Sequence, residues 1–245
     1  MKLAIVTATF NAAGSLPALV ESLRRQVDPD FEWVVMDGGS RDGTQDILAA
    51  ITDLPLVWHA EPDFGVYDAL NKAVALSKAE FYLVMGADDV LEPDAVLRYK
   101  ALLQVSGADI VTAGVRMGGN GTMMRPRAPA WLWGQLAFVT AHSVGSVYRK
   151  SLHDEPKIGP YSRRFPIAAD QLFILRAVNF GARVAVGDFI AGDFGSTGMS
   201  STDPAGMLTE FFRVQMEVEG NGKCLQVFLL VLRLVKNLPA LIRQR

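Results

Sequence analysis

The chain is poor in cysteine and in net charge. Cys224 is the only cysteine among 245 residues, so an internal disulfide framework is excluded, and no Cys-x-x-Cys or Cys/His spacing suggests a zinc site. Any metal ion bound here must therefore be held by oxygen ligands. The formal charge of −2 gives no general reason to expect nucleic-acid binding.

Long apolar runs are also missing: no stretch approaches the about 20 apolar residues that a spanning helix requires. The N-terminal segment MKLAIVTATFNAAG begins like a signal peptide, but Thr7, Thr9 and Asn11 interrupt its short apolar run. A first buried strand is the better interpretation. We expect a cytoplasmic protein, in which 50% hydrophobic residues suffice for a sizeable core.

Short apolar runs alternate with segments of helical period. The predicted strands are 3–6, 31–36, 56–58, 81–85, 110–115, 143–148 and 183–189, and the predicted helices are 15–27, 44–50, 66–77, 93–105 and 168–180. Strands separated by helices predict right-handed crossovers. The pattern therefore indicates an α/β fold with a Rossmann-like, mostly parallel sheet and helices on both faces.

Polar segments follow four of the predicted strands, at residues 7–11, 37–42, 61–63 and 86–89. Ligands of parallel α/β sheets bind at the carboxyl ends of the strands. We therefore expect the four segments to converge at one edge of the sheet.

The fourth of these segments, MGADDV, places Asp88 and Asp89 directly after an apolar strand. Adjacent carboxylates repel each other unless a cation or several donors neutralise them, and Mg²⁺ or Mn²⁺ suits a site of oxygen ligands. In the alternative interpretation, Asp89 or Asp94 caps the helix that Pro93 opens and Asp88 is only solvated.

The second and third segments have simple structural interpretations too. In DGGSRDGT, which begins at Asp37, the glycines can be turn residues and Thr44 a helix cap. In EPDFGVYDALNKA, Asp68 and Lys72 have the spacing of a surface ion pair. The functional interpretation is that Asn71 and Lys72, near a helix N-terminus, face a diphosphate.

In this order and spacing, TATFN, DGGSRDGT, EPDFGVYDALNKA and MGADD closely resemble the motifs of family 2 glycosyltransferases of the GT-A fold. The resemblance is strong over residues 1–100 and weaker to about residue 200. It implies that Asp37 binds the base, most often uracil, and that Asp88 matches the last Asp of the family's DxD motif and binds the metal. Gly86 replaces the first Asp of that motif. The implied nucleotide-sugar contacts are Thr7, Thr9, Asn11, Asp37, Gly38, Asp68, Asn71, Lys72 and Ala87.

The resemblance also implies a carboxylate base on the acceptor side, and Asp170 in IAADQLFILRAV matches that position. Asp170 can instead be a carboxylate favoured by a helix N-terminus. Asp89, His142 and Arg149 are further candidates for contacts with the acceptor or the diphosphate, although a histidine at the start of a strand is as readily structural.

The implied enzyme is an inverting glycosyltransferase that uses Mn²⁺ or Mg²⁺ and transfers a sugar from a nucleotide-diphosphate donor, with UDP favoured, to a hydroxyl. Asp170 takes the proton of that hydroxyl as it attacks the anomeric carbon, and one displacement inverts the configuration. A non-catalytic nucleotide- or glycan-binding protein and a nucleotidyltransferase are the competing functions. The basic, glycine-rich N-terminal loop of a nucleotidyltransferase is absent from this sequence.

The chain divides by this interpretation into a nucleotide-sugar-binding half at 1–115, an acceptor-binding half at 116–203 and a helical tail at 204–245. The tail segment GKCLQVFLLVLRLVKNLPALIRQR is apolar and basic, without Asp or Glu. It either lies on the inner face of the cytoplasmic membrane or packs on the catalytic domain or a second subunit. The membrane interpretation suggests a lipid-linked glycan acceptor in cell-envelope polysaccharide synthesis.

Overall fold

The computed structural model describes residues 2–117, 126–195, 203–218 and 222–243. Its first half alternates strand and helix as predicted, in the order β1 (Leu3–Thr9), α1 (Leu16–Arg24), β2 (Phe31–Asp37), α2 (Thr44–Ala50), β3 (Leu56–Ala60), α3 (Val66–Leu76) and β4 (Phe81–Val84). The second half continues with β5 (Val90–Leu91), α4 (Ala95–Ser106), β6 (Ile110–Met117), α5 (Ala130–Trp133), β7 (Ser146–Arg149), α6 (Ala169–Asn179), β8 (Val184–Phe194), α7 (Pro204–Glu217) and α8 (Lys223–Arg243).

The strands form one sheet in the order β3-β2-β1-β4-β7-β6-β8-β5. β3, β2, β1 and β4 are parallel neighbours, and so are β6 and β8. β7 runs antiparallel to β4 and β6, and the short β5 runs antiparallel to β8. The mostly parallel α/β fold with a helical tail is thus confirmed, and β7 joins the two parallel parts.

Two hydrophobic layers cover the faces of the sheet. In β1, Ala4 and Val6 face the layer that includes α3 and α6, whereas Leu3 and Ile5 face the layer that includes α1 and α4. All four side chains are fully buried. A strand with no polar face belongs in the middle of a doubly covered sheet, which explains why the first apolar run does not alternate.

Several boundaries differ from those that the sequence predicts. α1 ends at Arg24, before the predicted residue 27, because the backbone N–H of Val27 donates to Pro93 O instead of continuing the helix. β8 extends to Phe194, beyond the predicted residue 189, because it pairs with β6 on one side and β5 on the other. β5 itself has two residues, too few for a periodic signal.

The tail forms two helices that pack against each other. α8 also binds α5, since the Gln226 side chain donates to the carbonyl of Trp131 at 2.8 Å and Arg233 donates to the carbonyl of Leu132 at 2.8 Å. Among the described helices, none is long and apolar enough to cross a membrane.

Candidate active site

The carboxyl ends of the parallel strands meet at one edge of the sheet, where the sequence predicts a ligand site. The Gly38 N–H donates to Thr9 O at 2.8 Å, and the Glu61 N–H donates to Asp37 O at 3.0 Å. A Cβ at position 38 would lie 2.7 Å from a carboxylate oxygen of Asp63, so a larger residue there would displace the Asp63 side chain. The segments after β1, β2 and β3 therefore form one continuous wall.

Asp37 is the centre of this wall and is only 1% exposed. Its oxygens accept hydrogen bonds from Thr9 Oγ1 at 2.8 Å, Ser40 Oγ at 2.6 Å and Gln45 Nε2 at 3.0 Å, and from the N–H groups of Gly39 and Ser40. Burial raises the pKa of Asp37, but the hydrogen bonds from Ser40, Thr9 and Gln45 lower it more, so that the net pKa lies below its ordinary value. Asp37 is ionised and fixes the loop that follows β2.

The loops after β1 and β2 are joined directly. The Asn11 N–H donates to Ser40 Oγ at 2.8 Å, and Asn11 Oδ1 accepts from the Arg41 N–H at 3.0 Å. Thr44 Oγ1 accepts from the Ala12 N–H at 2.8 Å. Thr44 is the first helical residue of α2 and not its cap, which corrects the simplest interpretation of that residue. The motifs TATFN and DGGSRDGT are two halves of one hydrogen-bonded surface.

Thr7 lies further inside the sheet than the other candidates from β1. It is fully buried, and its hydroxyl accepts a hydrogen bond from Trp33 Nε1 at 3.1 Å. The structure places Thr7 in the support of the wall, below Thr9, and its predicted contact with a nucleotide is untested.

Asp89 links the loop after β4 to two other segments. It is 1% exposed, and it accepts hydrogen bonds from the Gly86 N–H at 2.6 Å, the Gly195 N–H at 2.8 Å and the Ser143 hydroxyl. Burial raises its pKa to about 6, against the effect of these donors. Within the described residues, Asp94 and not Asp89 stands at the N-cap of α4, without a side-chain capping hydrogen bond, so the capping interpretation of Asp89 is wrong.

Asp88 precedes Asp89 in the same turn and is half-buried, as is Ala87 beside it. A Cβ at position 195 would lie 2.1 Å from Asp88 Cγ, so the Asp88 carboxylate rests on the backbone of Gly195. Any larger residue at position 195 would displace the Asp88 carboxylate from its present place.

The described residues contain no group of three or more His, Cys, Asp or Glu side chains that could hold a metal ion. Asp89 offers little, because both of its oxygens accept hydrogen bonds from the protein. Mg²⁺ and Mn²⁺ are often held by one or two carboxylates together with substrate phosphates, and Asp88 can supply such a carboxylate. The residues therefore fit a metal whose remaining ligands come from a diphosphate and water.

Two cavities, of about 150 and about 320 Å³, adjoin each other beside this turn. Asp88 and Asp89 line the smaller cavity, and Asp170 lines the larger one. The side chains that line both are Tyr67, His142, Ser143 and Phe194. A molecule bound across these shared residues would reach from Asp88 to Asp170.

Asp170 lies in the first turn of α6 and is 7% exposed. Tyr67 Oη donates to Asp170 Oδ1 at 2.6 Å, and Gln135 Nε2 donates to Asp170 Oδ2 at 3.2 Å. Burial and the nearby Asp170 charge raise the pKa of Tyr67, so the phenol keeps the proton that it donates. Asp170 is therefore held in one orientation at the cavity wall by two side chains, and its place in the first turn of α6 is also one that a helix N-terminus favours.

His142 is placed in the same site. Its Nδ1 lies 3.2 Å from Tyr148 Oη, whereas its buried Nε2 has no hydrogen-bond partner in the described part of the chain. Burial lowers the pKa of His142, and the Asp170 carboxylate opposes that change only in part. A neutral imidazole with one unpartnered nitrogen thus stands between the two cavities.

Three predicted nucleotide-sugar contacts on α3, Asp68, Asn71 and Lys72, do not line these two cavities. Asp68 is paired with Arg163 and with Lys72, and Lys72 also contacts Glu61 at 2.7 Å. The Asn71 amide binds the backbone N–H and C=O of Tyr161 at 2.9 and 2.8 Å. All three line a separate groove of about 600 Å³ with residues 156–163. The ion pair that the sequence offered as the simple alternative is present here.

Arg149 is not brought to the site. It pairs with Phe81, the first residue of β4, in the sheet register, and so lies at the opposite end from Asp88. Its guanidinium contacts Asp109 at 2.9 Å and Glu80, and stacks over the Phe81 ring at 4.4 Å. These contacts make Arg149 a structural residue of the far edge.

Several side chains that build the site are not among the residues predicted from the sequence. Ser40 and Tyr67 lie inside the quoted motifs, and their hydroxyls beside Asp37 and Asp68 were a usable signal. Ser143 directly follows His142. Gln135 and Gly195 carried no signal, because each acts on a residue more than 30 positions away.

Comparison with known proteins agrees with this geometry. The family model for glycosyl transferase family 2 matches residues 4–155. A PGL/p-HBAD biosynthesis glycosyltransferase of Mycobacterium tuberculosis is 35% identical over 192 residues, which are 74% of this chain and 71% of that protein. The succinoglycan biosynthesis protein ExoO of Rhizobium meliloti is 26% identical over 199 residues, which are 74% of this chain and 57% of that protein.

Solved structures share the fold. TarS 1-349 of S. aureus in complex with UDP-GlcNAc has a TM-score of 0.73 at 20% identity, covering 97% of this chain and 72% of that one. The mannosyltransferase PcManGT of Pyrobaculum calidifontis, in complex with GDP-Man and Mn²⁺, has a TM-score of 0.70 at 17% identity, covering 90% and 65%. The sheet, the matched motifs and the relatives agree, and the chain belongs to the family 2 glycosyltransferases, with the GT-A fold.

Proposed function

We propose that this enzyme is an inverting transferase that moves a sugar from a nucleotide-diphosphate donor, with UDP favoured, to a hydroxyl acceptor. The observation that carries the proposal is the placement of Asp170, held by Tyr67 and Gln135 in a cavity that adjoins the Asp88 turn. The Tyr67 contact also joins the proposed donor half, residues 1–115, to the proposed acceptor half, residues 116–203.

The donor side of the proposal rests on the strand-end wall. Thr9, Asn11, Asp37 and Gly38 form a preorganised surface for the nucleoside, and Asp88 is the residue that would hold Mn²⁺ or Mg²⁺. Such a metal neutralises negative charge on the departing diphosphate. The complexes of TarS with UDP-GlcNAc and of PcManGT with GDP-Man and Mn²⁺ support a donor of this class.

Contacts of Asp68, Asn71 and Lys72 with the diphosphate require the α3 groove to rearrange, because those side chains are already paired within the protein. Arg149 has no place in the donor proposal.

The chemical step uses a proton acceptor on the face opposite the leaving group. Asp170 takes the proton of the acceptor hydroxyl while that oxygen forms a bond to the anomeric carbon. The bond from the anomeric carbon to the diphosphate oxygen breaks at the same time, and the electron pair leaves with the diphosphate. One displacement inverts the anomeric configuration, and no second carboxylate nucleophile is needed.

A thermal-shift panel tests the donor half of the proposal. UDP-, GDP- and dTDP-sugars are compared with and without Mn²⁺, since a ligand that binds only the folded state raises the melting temperature. We expect a UDP-sugar with Mn²⁺ to give the largest rise, and Asp88→Ala to remove the part of that rise that depends on Mn²⁺. A rise that is the same with and without Mn²⁺ would contradict the role of Asp88.

The competing function is a protein that binds a nucleotide or glycan without turnover. It differs from the proposal in needing no oriented base, whereas Asp170 has two defined donors. Donor binding without any transfer or donor hydrolysis over a broad acceptor panel would favour that alternative.

We also propose that α8 rests on an anionic membrane surface and brings the enzyme to a lipid-linked acceptor, as cell-envelope polysaccharide synthesis requires. One side of α8 packs on α5 and α7, and the opposite side exposes an apolar stripe that consists of Val227, Phe228, Val231, Leu232 and Val235. Lys223 and Lys236 flank the stripe, and residues 220–245 contain no Asp or Glu. Exposed apolar area with basic neighbours suits anionic lipid.

Vesicle sedimentation tests this surface. We expect binding to vesicles with phosphatidylglycerol and not to pure phosphatidylcholine, and loss of binding in Phe228→Ser with Val231→Ser. Dimerisation that the same two substitutions abolish, without vesicle binding, would instead assign the stripe to a second copy of the chain.

A further inference from the structure

The wall of the larger cavity, which contains Asp170, is mainly apolar. The side chains that form this apolar wall are Met117, Trp133, Leu136, Phe194, Met207 and Phe211. A site that holds only a sugar needs many hydrogen-bonding groups, because each hydroxyl loses water when it is bound. The volume of about 320 Å³ is at the lower end for small-molecule sites, so this wall contacts most of whatever enters.

The same cavity contains buried polar atoms whose hydrogen-bonding capacity is not used. Gln135 Oε1, His142 Nε2 and Gln171 Oε1 are buried and have no hydrogen-bond partner among the residues that the structure describes. Gln135 and Gln171 are 8% and 3% exposed. An amide oxygen can only accept a hydrogen bond, so the two glutamines call for donor groups such as hydroxyls. Leaving such atoms unpaired is costly, and a bound molecule with hydroxyls removes that cost.

The apolar wall is built into the fold. Gly134 has φ +59, and a Cβ there would lie 2.9 Å from Phe211 Cε2, so the Phe211 ring packs directly on the turn that follows α5. Trp133 precedes that turn. The carbonyls of Trp131 and Leu132 are held by side chains of α8, which braces α5 from behind. The aromatic part of the wall thus has defined supports on both sides.

We propose that this cavity binds an acceptor in which the sugar that carries the reacting hydroxyl is attached to an apolar group, and that this group lies against Trp133 and Phe211. The acceptor class is an alkyl or aryl glycoside, with its hydroxyls at Gln135, His142 and Gln171 and its apolar part at the aromatic wall. A lipid-linked acceptor belongs to this class when the reacting sugar is the one attached to the lipid, whereas in a long lipid-linked glycan the lipid stays far from the reacting sugar. The inference rests on the proposed function and specifies the acceptor of that same site.

Calorimetric titration tests the proposal without turnover. The probes are methyl, phenyl and octyl β-D-glucosides and β-D-galactosides, with the octyl compounds kept below their micelle concentration. Burying the carbons of a phenyl or octyl group is favourable, and we expect at least one such glycoside to bind about tenfold or more tightly than its methyl counterpart. The phenyl and octyl arms separate an aromatic aglycone from an alkyl chain.

Variants locate the binding. Phe211→Ser and, separately, Trp133→Leu should reduce the preference for the apolar glycoside to less than about threefold, because each removes part of the wall. Phe180→Ser is the matched control: Phe180 is 48% exposed at the end of α6, and its replacement should keep the preference. Each variant is first shown to retain its melting temperature and its affinity for the nucleotide sugar.

The outcomes separate this inference from the proposed function. Equal binding of methyl and apolar glycosides, no binding of any of them, or equal loss of the preference in Phe180→Ser would overturn the inference. If nucleotide sugars bind and transfer to methyl glycosides is as efficient as to phenyl and octyl glycosides, the enzyme's function stands and only the inference fails. Failure of every nucleotide sugar to bind would instead refute the proposed function.

Discussion

The strand-end wall and the Asp170 cavity satisfy their polar groups in opposite ways. At the wall, Asp37 accepts hydrogen bonds from two hydroxyls, one amide and two backbone N–H groups, all from the protein. In the cavity, Asp170 has two donors, and three neighbouring polar atoms have no hydrogen-bond partner within the ranges that the structure describes. The wall is complete without a ligand, and the cavity is not.

This difference indicates how the two substrates are recognised. A surface whose hydrogen bonds are already made loses little entropy when a ligand binds, and it suits one constant chemical group such as a nucleoside. Unpaired buried atoms lower the stability of the free protein, and the right ligand restores it. Hydrogen bonds to these cavity atoms should therefore contribute to the affinity for the acceptor, whereas the wall recognises the nucleoside through its preformed shape.

The largest expected effect comes from removing the charge of the cavity carboxylate. Asp170→Asn keeps the size of the side chain but cannot take a proton, and general-base catalysis contributes about 10²- to 10⁴-fold. We expect kcat to fall by about that factor while the melting-temperature rise with nucleotide sugar is unchanged. Asp53→Asn, which breaks an exposed pair with Arg24, is the control and should leave kcat unaltered. Normal turnover in Asp170→Asn would show that another group is the base.

A smaller effect is expected from Gly195→Ala, which acts where the two regions meet. The added methyl would overlap the Asp88 carboxylate and displace it, while the stability should change little because this carboxylate is the end of a half-buried side chain. A misplacement of about 1 Å at the donor turn can cost about 10²-fold in rate, so Mn²⁺-dependent kcat/KM should fall by about 10- to 100-fold. In Gly222→Ala the nearest atom to the new methyl is 3.7 Å away, and activity should not change. Equal activity of both variants would show that Asp88 does not need its present position.

The contrast also explains which parts of the molecule the sequence could predict. β1 to β4 and their loops follow one another along the chain, so periodicity and the polar segments at 7–11 and 37–42 predict both the sheet and the wall. The cavity unites Tyr67, Gln135 and Asp170, which lie far apart in sequence, and no local pattern records such contacts. Arg149 was misplaced for a related reason: the antiparallel direction of β7, which sends it to the far edge, is not encoded in a short apolar run.

A moderate effect on stability, and a small one on activity, is expected from Ser40→Ala in the wall. Ser40 Oγ donates a hydrogen bond to Asp37, and the pKa of Asp37 in the folded protein is lowered. A carboxylate with a lowered pKa stabilises the folded state fully above its ordinary pKa. This stabilisation is lost as the pH falls through the pKa of the folded state. Losing a hydrogen bond to a charged group costs about 1.5–3 kcal/mol. The variant should thus melt several degrees lower than the wild type at pH 7, and the difference should shrink toward pH 3.

Melting curves of Ser40→Ala at both pH values check this, with Ser151→Ala on the exposed surface as the control. A difference between Ser40→Ala and the wild type that is equally large at pH 3 would assign the loss to the neutral contact of Ser40 with the Asn11 N–H, and not to the charge of Asp37.

The smallest effect on catalysis is expected at Arg149, which lies at the opposite end of β4 from both regions. Arg149→Gln removes partly exposed ion pairs with Glu80 and Asp109, and such pairs contribute about 0–1 kcal/mol each. We expect a slightly lower melting temperature and unchanged kcat and KM, because no cavity-lining residue contacts the guanidinium in the part of the chain that the structure describes. A tenfold loss of kcat/KM at an unchanged melting temperature would mean that the far edge of the sheet reaches the reacting groups. The edge of the sheet at Arg149 would then be part of the active site, together with the wall and the cavity.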